Sequence, residues 1–268
     1  MKKREAWAII CYTTTYYAKN NTRKDETMEI KTEAIVIQSI DYKDNDKLLV
    51  LFSPTLGKIT AGIKGVKKPK AKLAFSAQPF CFAEYVLAEK GGRYTVTSAY
   101  LHESFFELRL DAFRYFAGCS ALEAVRELSV ENEAFTGCFV ALIECLKTLC
   151  LTGESPEEAL ISFLLVALRE SGYPIDLGYE EECDGDIGDS LHFDFADGRF
   201  APFERCVEGE RASVSTYQVL RKCAGLTYDE RQIAGGRKRA LRLLKVFLQR
   251  KTEGKFDTLG EVIRLSDD

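Results

Sequence analysis

"KLLVLFSPTLGKITAGIK", Lys47 to Lys64, is the stretch whose reading decides the fold. Two runs rich in β-branched and apolar residues flank Pro-Thr-Leu-Gly, which is turn material, so the segment reads as two short strands joined by a tight connection. The same texture continues on both sides. "TEAIVIQSI" lies upstream, and "FCFAEYVLAE" and "RYTVTSAYL" lie downstream, with "DYKDND", "KGVKKPK" and "KGG" as the intervening turns. Ile35 and Ile37 alternate with Val36 and Gln38, a pattern of strands buried on one face and partly covered on the other. Five such pieces between Ile30 and Leu101 fit a small closed barrel better than an open sheet.

Charge is sorted along this region. Six lysines and no acid lie between Gly57 and Phe75, in a chain of formal net charge −4. No carboxylate side chain occurs between Asp46 and Glu84, whereas residues 131–210 carry 19 acids against 4 basic groups. Lys58, Lys64, Lys67, Lys68, Lys70 and Lys72 have two readings. One is a solvated surface. The other is a track for phosphates: the lysines cluster without acids, Gly57, Gly62 and Gly65 let backbone approach a ligand, and Phe52, Phe75, Phe80 and Phe82 offer rings near by. Most of those rings are expected in the barrel core, because alternate strand positions must fill it.

After Ser104 the period changes to that of helices. "DAFRYFAGCSALEAVREL" places Phe113, Phe116, Ala117, Ser120, Ala121, Ala124 and Leu128 on one face. "FTGCFVALIECLKTLCL" is a second helix, stopped at Thr152–Gly153. "SPEEALISFLLVALRESG" has Ser155 as N-cap, Pro156 in the first turn with two glutamates, and Gly172 at its end. The acidic stretch 173–211 contains a hairpin around Ala196–Gly198. Helical texture returns at "VSTYQVLRKCAG", in the basic "GGRKRALRLLKVFLQRK", and near "FDTLGEVIRL".

With 268 residues, 46% hydrophobic and 29% charged, the chain has material for two globular domains. No apolar run approaches bilayer length. "MKKREAWAIICYTTTYYA" mimics a signal peptide, but its apolar run is short and no small-residue cleavage site follows, so residues 1–27 read as a disordered extension or an upstream start before Met28. Nine cysteines, with Cys81, Cys119, Cys138 and Cys145 in apolar stretches, point to free buried thiols in a reducing compartment, the cytoplasm.

Nothing in the sequence assembles catalysis. His102 and His192 sit in no metal spacing, no phosphate loop or nucleophile elbow occurs, and the acids of 173–211 are paired with no nucleophile. The expectation is a protein that is not an enzyme. Between Arg231 and Lys255 there are nine basic residues and one acid, with Ala240, Leu243, Leu244, Phe247 and Leu248 as an apolar stripe. Arg239, Arg242 and Lys245 are then either the solvated face of a packed helix or a docking face for an acidic partner or DNA.

"EAIVIQSIDYKDNDKLLVLFSPTLGKITAGIKGVKKPKAKLAFSAQPFCFAEY", continued by "GGRYTVTSAYLHESF", resembles the N-terminal part of the RecO family of bacterial recombination mediators. The resemblance implies an α+β chain: a five-stranded OB-fold barrel over 28–104 that binds DNA, then a mainly helical domain over 105–268 with a zinc-ribbon-like insert at about 173–211. It implies binding of single- and double-stranded DNA, annealing of complementary strands, and loading of RecA together with RecR. It also implies that the acidic, phenylalanine-ended tail of single-strand DNA-binding protein is a partner. One departure stands out. The family insert carries two CxxC pairs, whereas here only Cys183 and Cys206 occupy that stretch, neither with a partner three residues away, so no structural zinc and no cofactor are expected. A non-catalytic protein adaptor and a metal-dependent nuclease using the acidic insert are the rival readings, and no membrane association is expected.

Overall fold

The computed structural model describes residues 27–179 and 191–266. Except for Thr27, the N-terminal extension lies outside them, and so does Cys183. The chain forms two compact units. One holds the described residues up to Ser104 together with Glu131–Ala134, and the other holds Phe105–Val130 and the described residues from Phe135 onward. None of the described helices is long and apolar enough to cross a membrane.

The first unit is a closed barrel of β1 (Met28–Tyr42), β2 (Asp46–Ser53), β3 (Gly57–Ile63), β4 (Phe82–Lys90) and β5 (Arg93–Glu103), in the order β1-β2-β3-β5-β4. Closure rests on the length of β1. Its first half pairs with β4, from Met28–Glu89 to Ile35–Phe82, and its second half pairs with β2, from Ile35–Phe52 to Tyr42–Asp46. A bulge between Val36 and Gln38 bends the strand where it changes partners, as bulges do at barrel corners. A short parallel contact, Ala61–Tyr94 and Gly62–Thr95, seals β3 to β5. This strand order is that of the OB-fold.

Ala34, Val36, Leu49, Leu51, Ile59, Ala61, Ile63, Tyr85, Leu87 and Val96 fill the interior. Each large apolar side chain so buried is worth roughly 1.5–3 kcal/mol. Of the alternating set, Val36 faces this core, while Ile35 points the other way and is nonetheless fully buried. Burial on both faces reconciles the pattern with the barrel, but the inward face is the opposite of the one that two isoleucines suggest. Two polar contacts inside are satisfied: Thr32 Oγ1 lies 2.6 Å from Ser53 Oγ, and Tyr85 Oη donates to the carbonyl of Ser76 at 2.8 Å.

The second unit is helical. α1 (Ala112–Leu128), α2 (Thr136–Cys150) and α3 (Pro156–Glu170) pack on one another through Ala121, Val125, Leu142, Leu146, Leu160 and Leu164. Asp111 caps α1 by accepting the N–H of Arg114, and Ser155 caps α3 by accepting that of Glu158. Gly172, at φ +84°, ends α3 in the left-handed conformation that a C-terminal glycine supplies. α4 (Val214–Cys223), α5 (Gly236–Lys251) and α6 (Asp257–Leu265) are the remaining α-helices among the described residues.

Between α3 and α4 lies a small sheet in the order β7-β6-β8, made of β6 (His192–Asp194), β7 (Arg199–Ala201) and β8 (Gly209–Arg211). The hairpin expected around residues 196–198 is the β6–β7 connection. Rings anchor this insert to the helices. Phe193 meets Phe247 at 5.6 Å and Phe200 meets Tyr217 at 5.0 Å, both edge-on. The described part of the insert is this three-stranded sheet. Among the described residues no three metal-binding side chains converge, and the Cys206 thiol donates to the carbonyl of Pro202 at 3.4 Å.

Candidate nucleic-acid interface on the barrel

The lysine loop between β3 and β4 has a fixed course. The N–H of Gly65 donates to Asp46 Oδ1 at 2.7 Å, and the N–H of Lys67 donates to the carbonyl of Asn45 at 3.0 Å. Successive turns then satisfy the backbone, with the N–H groups of Lys68, Ala71, Ala74 and Ser76 each donating to the carbonyl three residues back. At its far end the loop is stitched to β1, where Phe80 donates to Val36 and Val36 to Cys81, both at 3.0 Å. Val66, Leu73 and Ala77 turn inward onto the barrel core, while the lysines between them face water. Lys64, Lys67, Lys68, Lys70 and Lys72 are all exposed.

This end of the barrel also carries the β1–β2 turn, Lys43-Asp44-Asn45, which the loop touches through Asn45. An acid enters the cluster from β1: Asp41 accepts from Lys67 at 3.0 Å and lies 3.7 Å from Lys47. The hydrogen bond from Lys67, reinforced by the charge of Lys47, holds the Asp41 carboxyl below the usual carboxylate range. The absence of acids from the loop sequence is therefore not an absence from the surface. Lys58 stands apart from the others. It pairs with Phe52 near the start of β3, half-buried, and lies about 20 Å along the strand from Lys64 at roughly 3.3 Å per residue.

Two of the three glycines have structural duties. Gly57 has φ +64°, and a Cβ there would fall 1.8 Å from the carbonyl oxygen of Glu133. It serves the docking of Glu131–Ala134, where the N–H of Asn132 donates to the carbonyl of Lys58 at 3.0 Å, rather than a ligand. Gly65, at φ +66°, makes the turn into the loop. Gly62 is different: its φ is ordinary for a strand, and a Cβ would meet nothing closer than 3.9 Å.

Phe52 and Phe80 are fully buried, and Phe82 lies against the ring of His102 at 4.9 Å, which leaves Phe75 as the exposed ring of the four near the lysines. Sequence reasoning missed a better placed one. Tyr42 closes β1 with nearly half its surface open, and the Lys43 ammonium rests 5.2 Å from its ring centre. Strand register sets Tyr42 across from Asp46, Ile40 across from Leu48 and Gly62, and Gln38 across from Val50 and Thr60, so these residues share the outer face of β1–β2–β3. The available signal was period two: Gln38, Ile40 and Tyr42 alternate with residues of the opposite face.

On α5, Arg239, Arg242 and Lys245 fan across the outer surface. Arg239 lies 3.5 Å from Ser215 Oγ of α4, Arg242 is exposed, and the Lys245 side chain lies over Gly260 of α6. The other cations of this helix hold the unit together. Arg237 joins Lys222 on Glu158, Arg250 pairs with Glu208, and Lys251 donates to the carbonyl of Ala196. The buried stripe is Ala240, Leu241, Leu244, Phe247 and Leu248. Leu243 is only half-buried, because α3, α4 and α6 all pack on α5 and widen its apolar side toward Leu241.

A five-stranded barrel of this strand order with a cationic rim defines an OB-fold protein, whose β2–β3 face and β1–β2 and β4–β5 loops are where such barrels take oligonucleotides. The chain matches the family model described as Recombination protein O N terminal over residues 28–105 and that described as Recombination protein O C terminal over residues 109–259. It belongs to the RecO family. Among its relatives is the DNA repair protein RecO of Acetivibrio thermocellus, 28% identical over 69% of this chain and 73% of that one. The DNA repair protein RecO of Clostridium novyi is 32% identical over 57% of this chain and 59% of its own length, and that of Dehalococcoides mccartyi is 29% identical over 72% and 77%.

Proposed function

We propose that this protein is a non-catalytic mediator of DNA repair and recombination that binds single- and double-stranded DNA at the lysine-bearing end of its barrel. The observation that carries the reading is a loop whose backbone is fixed by hydrogen bonds and whose exposed side chains include five lysines, set against the β1–β2 turn of an OB-fold. Cations held on a fixed frame contact phosphates, which single strands and duplexes both present. Family membership supports the wider role: annealing of complementary strands, loading of RecA with RecR, and work in the cytoplasm on DNA coated by single-strand DNA-binding protein. The fan of Arg239, Arg242 and Lys245 supports a second contact, with the acidic tail of that protein, by charge-assisted hydrogen bonds to its carboxylates.

Replacing Lys67, Lys68 and Lys70 with alanine tests the DNA reading. Affinity for both strand states should fall, and the slope of log K against log salt should flatten by about 0.7–0.9 for each phosphate that is no longer neutralised. Folding should be unchanged, because all three side chains are exposed. Unaltered affinity at low salt would take the loop out of the binding site and favour a protein adaptor. Strand cleavage with magnesium or manganese would favour the nuclease.

A further inference from the structure

The lysines explain attraction to phosphate, yet phosphate is common to single strands and duplexes. The neighbouring sheet face carries features of another kind. Tyr42 and Ile40 are each more than two-fifths exposed on adjacent outward positions of β1, and Leu48 and Val50 of β2 continue the same face half-exposed. Gly62 lies in the middle of this surface. A glycine inside a strand weakens it, and here neither its backbone angle nor its surroundings demand one, since a side chain would make only ordinary contacts. What the glycine does supply is a bare floor beside Ile40 and Leu48. Lys43 already rests over the Tyr42 ring, which establishes that the ring's face is open to a planar or cationic group. Lys64 follows Ile63, the partner of Lys47, and the N–H of Gly65 just beyond it donates to Asp46, the strand partner of Tyr42, so a phosphate held by Lys64 would leave its base within reach of this face.

We infer that the outer face of β1–β3 is a base-stacking platform, with Tyr42 as its ring and Gly62 as its floor, and that this platform makes the barrel prefer single-stranded DNA. The inference rests on the reading that the lysine loop binds DNA. In a duplex the base faces are covered by their neighbours, so the platform is useful only to an unpaired strand, while the lysines serve both. Lys43 leaves the ring when a base stacks and becomes available to the backbone. Stacking of this sort is tolerant of sequence because every base has a π-face.

The test uses the full chain with a single-stranded oligonucleotide, a duplex of equal length, and an equally long strand with abasic sites. Tyr42→Ala should weaken single-strand binding about tenfold, within the range found for base–aromatic stacking, and leave the duplex within about twofold. Tyr42→Phe should retain wild-type affinity. Gly62→Val should also weaken single-strand binding, with a melting temperature unchanged or raised, since a β-branched residue suits a strand. The unaltered protein should bind the abasic strand as weakly as Tyr42→Ala binds the intact one, a comparison that needs no variant to fold. Equal affinity of the unaltered protein for abasic and intact strands overturns the inference. So does an undiminished single-strand affinity of Tyr42→Ala in a protein whose lysine-loop variant has lost binding, and in that case the lysine reading survives. If the lysine-loop variant loses nothing, the barrel site itself fails and the platform with it.

Discussion

Asp194 and Gly57 hold irregular backbone that no strand ladder covers. Asp194 is fully buried in the insert, where its carboxylate accepts the N–H groups of Val207 at 2.7 Å, Ala196 at 3.0 Å and Glu208 at 3.1 Å. Burial pushes its pKa up, but the three N–H donors and nearby Arg199 outweigh burial and hold it below the ordinary value. A depressed folded-state pKa adds stability above the unfolded value, near about 4, and that contribution is lost as pH falls through the folded one. Asp194→Ala should therefore cost about 1–3 kcal/mol, by removing the buried carboxylate that three backbone N–H groups of exposed residues donate to. Calorimetric melts of both proteins should show the gap narrowing below about pH 4; a constant gap down to about pH 2 would mean that the charge is not what the donors require. Gly57→Ala would force both a left-handed backbone and a collision with Glu133, for a loss of about 3 kcal/mol or more in urea unfolding. A loss under about 1 kcal/mol would mean that Glu131–Ala134 moves aside at little cost.

At the scale of elements, the sequence was legible wherever the signal is local. Ser155-Pro156-Glu157-Glu158 and Gly172 mark the ends of α3 because caps act within one turn, and the five strands show through β-branched runs cut by turn residues. What stayed hidden depends on partners distant in the chain. The bulge after Val36 shifts which side of β1 faces inward, and a bulge leaves no composition of its own. Asp41 joins a lysine surface that looks free of acid because the barrel brings the end of β1 beside the loop. Phe52 and Phe80 are as aromatic as Tyr42 in the sequence, and only the folded chain decides which of them is covered. The same holds for α5. Counting its cations overstates the free charge, since Arg237, Arg250 and Lys251 are engaged by residues from α3 and the insert.

Across the whole molecule, positive charge is divided between two surfaces that belong to different units, the barrel loop and the outer side of α5. The two sets differ in kind. The loop presents lysines, compact and strongly hydrated cations suited to a phosphate chain, whereas α5 contributes two arginines, whose planar forks fit carboxylates. If each surface has its own ligand, reversing charge on one should leave the other nearly untouched. Arg242→Glu is the variant of choice, because Arg242 is exposed and its loss removes no packing from the helix. Binding of an acidic peptide ending in phenylalanine should weaken by about 1.5–3 kcal/mol, the value of a charge-assisted hydrogen bond, and what remains should depend less on salt. Affinity of the same variant for a naked single strand should stay within about twofold, since counterion release at the loop is unchanged. Fluorescence anisotropy with both labelled ligands makes the comparison on one preparation. Equal loss for peptide and DNA would make the two surfaces one site, and peptide binding indifferent to the reversal would move the partner to another part of the chain.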